Sequence, residues 1–206
     1  MKGFLLTAAT AVLVVGAVWL LKVSETSDDP SVGRVPIAVS APDGGVASMP
    51  RAPGEETMRD RLLRSTAKEA GVEPVRGVWG VIMERGYAKG VATVIALADG
   101  TASWHLSAGG SVVGGREYPP ARLAARKLCE QAADSLAATV ATKEFPPPGQ
   151  KRVRFYVLTT DGVRAAEGDL MAHLRDGGHD ALAPLVVAGD AVVDALKDAT
   201  SKGVLR

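Results

Sequence analysis

The sequence predicts an α+β domain: an antiparallel sheet of about five strands with packed helices, in the order α-β-β-β-α-β-β-α, behind one transmembrane helix and a disordered linker. Three observations predict it. Two Asp-Gly dipeptides, Asp99-Gly100 and Asp161-Gly162, each separate strand-like runs, the pattern of tight antiparallel hairpins. Long segments with apolar residues at helical spacing stand before, between and after those runs, without the β-α alternation of a doubly wound nucleotide fold. The first residues form an uncharged apolar run that no soluble helix needs.

That run, Gly3 to Leu21, makes about 28 Å of helix, close to the ~30 Å bilayer core. Lys2 and Lys22 bracket it, and Trp19 suits the headgroup level. Residues 1–22 are therefore expected to be a transmembrane anchor, contacting lipid through residues 3–21. The rival reading is a signal peptide cleaved after Val15, Gly16 and Ala17, but Val18 to Leu21 prolong the apolar run where a cleaved peptide turns polar. Lys2 precedes the run and Glu25, Asp28 and Asp29 follow it, so the positive-inside tendency places the folded part outside the cytoplasmic (inner) membrane, periplasmic or extracytoplasmic. Residues 23–56 hold five prolines, no aromatic residue and six acids against two arginines, and cannot bury enough apolar area to offset their ordering entropy. They are expected to be a disordered spacer of roughly 30 to 35 Å.

Residues 57–206 form the expected globular domain. Thr57, three residues before Asp60, is placed to cap a helix whose apolar stripe is Met58, Leu62, Leu63, Thr66, Ala67 and Ala70, ended by Gly71 and Pro74. Arg59, Arg61, Arg64, Lys68 and Glu69 lie off that stripe and read as a solvated face. Strands follow over residues 77–84, 91–98 and 101–108, with a type I′ turn at Asp99-Gly100. The second strand has large residues on one face (Val91, Thr93, Ile95, Leu97) and mostly small ones on the other (Ala92, Val94, Ala96, Ala98), which predicts a sheet covered on both sides with a helix close to the small side. In the third, Ser103, His105 and Ser107 predict a wet face. After the glycine-rich AGGSVVGG, a helix begins at Pro119 and Pro120 with the stripe Ala121, Ala125, Leu128, Ala132, Leu136 and Val140. Strands at 153–160 and 163–167 precede a last helix over roughly 182–199, with Pro184 in its first turn and Leu182, Leu185, Val186, Val193 and Leu196 on one side.

This order of elements, and especially VRFYVLTTDGVR after a long helix, resembles the roadblock and profilin-like group of small α+β domains over about Thr57 to Ala199; the GVATVIALADGT hairpin with its glycine-rich turn is similar to uncharacterised bacterial proteins. The resemblance implies a scaffold for protein contacts, often dimeric, and brings no catalytic motif with it.

Lys and Arg total 24 against 23 Asp and Glu, and aromatics are 4%, which excludes the basic excess and stacking platforms of nucleic-acid binders. One cysteine, Cys129, excludes an internal disulfide and a cysteine-rich metal cluster; beside Ala125 and Ala132 it reads as a small buried hydrophobe. Gly109, Gly110, Gly114 and Gly115 are candidate ligand-binding residues, but no GxGxxG or GxxxxGK[ST] pattern is present and a permissive turn explains them. His105 is a further candidate, since Ser103 and Ser107 flank it on one strand face; no nucleophile elbow accompanies either serine. His173, His179 and Asp180 are candidate metal ligands only if Gly177 and Gly178 fold the loop back, because six residues separate the imidazoles. Lys151, Arg152 and Arg154 read as a solvated strand end. No cofactor is expected. The expected function is a membrane-tethered, non-catalytic binding module that meets a protein partner or a second copy of itself; the alternatives are a small exported hydrolase using His105, His173 or His179, and a structural envelope protein.

Overall fold

A computed structural model of the chain describes residues 57–170 and 181–205. They belong to the second of the two units into which the chain divides, Gly44–Arg206. The expected anchor at 3–21, the linker at 23–56, and His173, His179 and Asp180 lie outside the described residues. Among the described residues no helix is long and apolar enough to cross a membrane.

The described chain is α+β, with four α-helices and seven strands in one antiparallel sheet. Helices α1 (Met58–Arg64) and α2 (Ala67–Ala70) lead into β1 (Val78–Tyr87), β2 (Gly90–Leu97), β3 (Ala102–Leu106) and β4 (Ser111–Val112). Helix α3 (Pro119–Asp134) follows, then β5 (Val140–Ala141), β6 (Arg152–Thr159), β7 (Gly162–Asp169) and α4 (Ala183–Ser201). The strand order is β4-β3-β2-β1-β6-β7-β5. The sequence predicts five strands, and the two additional ones are short edge pieces. Strand β4 sits inside the glycine-rich stretch, and β5 in what reads as the tail of α3. Two-residue strands carry too little periodicity to separate from a loop or a helix end.

Three local expectations are corrected. The first predicted helix is two: Ser65 turns extended at the end of α1, and Thr66 opens α2 with a reciprocal capping box to Glu69. Each hydroxyl competes with the helix for backbone partners, and together they break the stripe. The α3 stripe ends at Asp134, so Val140 stands on edge strand β5, 69% exposed. The Asp99-Gly100 turn is not type I′, which needs positive φ at both central residues. Gly100 has φ +95 while Asp99 does not adopt positive φ. Gly100 N–H donates to Leu97 O, and the Asp99 carboxylate accepts from Thr101 N–H at 2.8 Å, giving a longer loop that closes on a left-handed glycine.

Strand alternation sorts the core into two layers. One face of the sheet carries Val81, Met83, Val94, Ala96, Ala102, Phe155 and Val157 against α3 and α4. The other carries Trp79, Ile82, Ile95, Leu97, Tyr156 and Leu158 against Leu62, Leu63 and Val72 of the first helical segment. The small side of β2 does admit a helix closely: Cys129 Sγ of α3 lies 3.7 Å from Ala96 O. Helix α4 approaches β1 through Gly189, where an added Cβ would overlap the Met83 sulfur. Asp190, beside it, pairs with Arg85 of β1 at 2.6 Å. The predicted buried residues of α4, Leu182, Leu185, Val186, Val193 and Leu196, are all in the core, and replacing one such leucine with alanine costs about 2 to 5 kcal/mol.

Candidate functional site

Helices α3 and α4 lie side by side on one face of the sheet, running in opposite directions. Pro119 and Pro120 start α3, where missing N–H groups are least harmful. At that end Tyr118 donates its hydroxyl to the Asp198 carboxylate near the end of α4, and Lys202 donates to the same carboxylate at 2.8 Å and to the Tyr118 oxygen at 3.1 Å. The Lys202 and Tyr118 hydrogen bonds hold the Asp198 carboxyl below its ordinary pKa, and the bond to Asp198 raises the Lys202 ammonium. This clasp fixes the register of the two helices. The buried stripe of each faces the sheet, leaving their outer sides as one surface.

Along that surface runs an open groove of about 970 Å³ between the two helices. Leu123, Lys127, Glu130 and Asp134 form its α3 wall, and Pro184, Val187, Ala191 and Ala195 its α4 wall. Leu123 is 55% exposed and Val187 69% exposed, two large apolar side chains raised on an otherwise small-residue floor. Asp134 is paired with Arg76 at 2.6 Å, whereas Lys127 and Glu130 are exposed without an ion-pair partner among the described residues. The apolar stripes of the sequence mark the buried sides of both helices and leave this face unassigned. The signal was present: Leu123 and Val187 are apolar at positions off the buried stripe of their helices, where a solvated helix carries polar side chains.

On the opposite face a polar row crosses the sheet. Register places Ser111, His105, Thr93, Glu84, Arg154 and Glu167 in line on adjacent strands β4, β3, β2, β1, β6 and β7. Glu84 is 2% exposed. It accepts from Arg59 of α1 through Nε at 2.6 Å and Nη2 at 2.9 Å, a bidentate pair. Arg59 also donates to Phe145 O at 2.8 Å and sits over the Tyr156 ring at 5.4 Å. Burial works against its charge, but the bond and charge of Glu84 outweigh burial and raise its pKa. The expected solvated face of the first helix is thus corrected at Arg59: a buried carboxylate draws the guanidinium inward. Arg152 and Arg154 are corrected likewise, since both pair with Glu167 and Arg154 also donates to Pro146 O. Their hydrogen bonds and charges overcome burial and hold the Glu167 carboxyl below its ordinary range.

The remaining candidates do not converge. Ser103 is buried rather than wet, and its hydroxyl shares a hydrogen bond of 2.9 Å with His105 Nε2. Burial lowers the His105 pKa, and no carboxylate orients its other ring nitrogen among the described residues. Gly109 and Gly110 form the β3–β4 turn with open space around them, at φ +107 and +99. Gly114 lies against Leu205, and Gly115 packs on Ala102 and Leu196, where a Cβ would collide. Cys129 is fully buried, and burial pushes its thiol up to about 12, the opposite of an activated nucleophile. No group of three metal-ligating side chains occurs among the described residues.

Compared with protein-family models, with curated proteins and with solved structures, the chain has no match.

Proposed function

We propose that the folded domain is a non-catalytic interaction module, held at a membrane by residues 3–21 and spaced from it by residues 23–56, that engages a protein through the outer face of α3 and α4. The observation that carries this reading is the pair of exposed apolar side chains, Leu123 and Val187, standing over a groove between two helices whose relative position is fixed by the Tyr118, Asp198 and Lys202 clasp. Exposed apolar side chains scattered singly are ordinary, whereas ones gathered over a single groove, as Leu123 and Val187 are, favour a contact site. A hydrolytic reading draws less support, because Ser103 is buried in the sheet and its pair with His105 has no orienting acid among the described residues.

A photo-crosslinking residue placed at Val187 in the full chain, in cells, tests the reading. A discrete adduct is expected there and not from the same residue at exposed Lys68 on the far side of the domain. Alkaline washing of the membranes should leave the chain in the pellet. Absence of any adduct from both Val187 and Leu123 would overturn the contact face, and release of intact chain by the wash would overturn the anchor.

A further inference from the structure

We infer that the cleft between the α1–α2 elbow and the β6–β7 turn is a binding site for a small monocarboxylate with an apolar body. It lies on the face of the sheet away from α3 and α4 and does not depend on the interaction-module reading.

The cleft follows from the break at Ser65 and Thr66. Both residues are extended, with ψ 158 and 163, so the chain passes Trp79 of β1 and Thr159 of β6 as an open elbow and not as a helical turn. Small residues stand where the elbow faces the strands, Ser65 and Ala67 on one side and Gly162 on the other. They leave a hollow of about 260 Å³, open to solvent on one side. That is just under the ~300 to 1,000 Å³ of ordinary ligand pockets, so the ligand is a small one.

The floor is apolar. Trp79, Leu158 of β6 and Val163 of β7 belong to the layer that α1 covers, and here they reach the wall of the hollow. The Trp79 indole N–H donates to Thr159 O at 3.2 Å, which fixes the ring. Such a floor suits an aliphatic chain or an aromatic ring.

The rim decides the head group. Thr66 accepts from Glu69 N–H and donates to the Glu69 carboxylate, Thr159 accepts from Asp161 N–H and donates to Gly162 O, and Ser65 donates to Arg61 O. These three hydroxyls are committed to the turns that shape the site. The other polar side chains of the rim are the Lys68 ammonium and the Thr160 hydroxyl, both exposed at the mouth. No carboxylate lines the cleft among the described residues, and Glu69, next to Lys68 in sequence, holds its own on Thr66 N–H and hydroxyl. One cation and one hydroxyl above an apolar floor match a single anionic head on a hydrophobic body. The carboxylate takes a charge-assisted hydrogen bond from Lys68 and a second bond from Thr160, while the body lies on Trp79.

The test uses the full chain in bilayer discs of zwitterionic lipid, with empty discs as the blank. Benzoate and hexanoate are the probes, each against its alcohol and amine counterparts, and the Trp79 indole signal in proton–nitrogen correlation spectra is the readout. A saturable shift is expected for at least one carboxylate, with a Kd of about a millimolar or below, the range open to a ligand of so few atoms. The matching alcohol and amine should bind about tenfold more weakly, and Lys68→Met should weaken the carboxylate about tenfold without moving Tm. Lys151→Met, beside Gly86 at the other end of the sheet, should change nothing. Ser65→Phe fills the hollow and should abolish the shift, with circular dichroism confirming that each variant is folded. No saturable shift from either carboxylate overturns the site. Equal binding of the alcohol or amine, or undiminished binding by Lys68→Met, overturns the assigned head group, and undiminished binding by folded Ser65→Phe overturns the cleft as its place. A free acid leaves no protein adduct at Lys68, so this site and the α3–α4 contact face fail separately.

Discussion

Replacing Arg59 with methionine removes the ion pair to Glu84 while retaining most of the apolar stem. Glu84 is 2% exposed and takes two of its hydrogen bonds from Arg59, at 2.6 and 2.9 Å; its remaining side-chain donor, Thr93, is at 3.3 Å. The variant therefore strands a buried carboxylate, and also frees the Phe145 carbonyl. Breaking a buried pair from one side costs about 3 to 5 kcal/mol, and because the Arg59 side chain is 18% exposed the lower end applies, about 3 kcal/mol. At roughly 2 to 4 °C per kcal/mol for a domain of this size, Arg59→Met should lower Tm by about 6 to 12 °C. The double variant Arg59→Met/Glu84→Leu should recover most of the loss, since an apolar pair of similar volume replaces a buried ion pair nearly neutrally. Thermal and urea unfolding of the full chain, followed by far-UV circular dichroism, reads both. A loss under about 2 °C for the single variant, or a double variant worse than the single, would refute the claim that α1 is held on the sheet by this pair.

Cys129 should be inert to a thiol-specific chromogenic reagent at pH 8 in the native chain and react fully once unfolded, since its thiol is buried and burial pushes it up to about 12; native reaction on the timescale of a small thiol would contradict the packing of α3. Gly86→Ala should destabilise far more than Gly189→Ala: at Gly86 a Cβ meets the Gly149 backbone, which cannot move aside, whereas at Gly189 it meets the flexible end of Met83. Comparative urea midpoints rank the two. Acid should weaken the fold through carboxyls held below their ordinary range, Glu167 among them, and through His105, all acting in the same direction. Glu167 has a depressed carboxyl pKa, because hydrogen bonds and charges from Arg152 and Arg154 overcome burial, so its contribution is complete above the ordinary carboxyl range and is lost as pH falls through the folded-state value. His105 has a pKa lowered by burial, so its unfolded form takes up a proton first and stability declines below the ordinary imidazole range, about 6.5. His105→Gln should remove the part of the decline that begins near pH 6.5 and leave the part at lower pH; an unchanged profile would place His105 in water.

Local pattern determined much of this protein. The hairpins, the two long helices, Thr57 and Pro184 at their helix starts, the burial of Cys129 and the close helix on the small side of β2 are all legible, because spacing, capping and residue size act over a few neighbours. The break at Ser65 and Thr66 is masked in the sequence, because the apolar stripe continues across two competing hydroxyls. Tertiary structure alone decided the rest. That Arg59 turns inward depends on Glu84, 25 residues away, coming to lie beneath α1 once β1 enters the sheet. Leu123 and Val187 each stand off the stripe of their own helix, but that they share one face is decided only when α3 and α4, which are far apart in sequence, are laid side by side with the Tyr118 and Asp198 clasp at one end. A groove is a relation between elements, and no window of sequence shorter than the distance between them contains it.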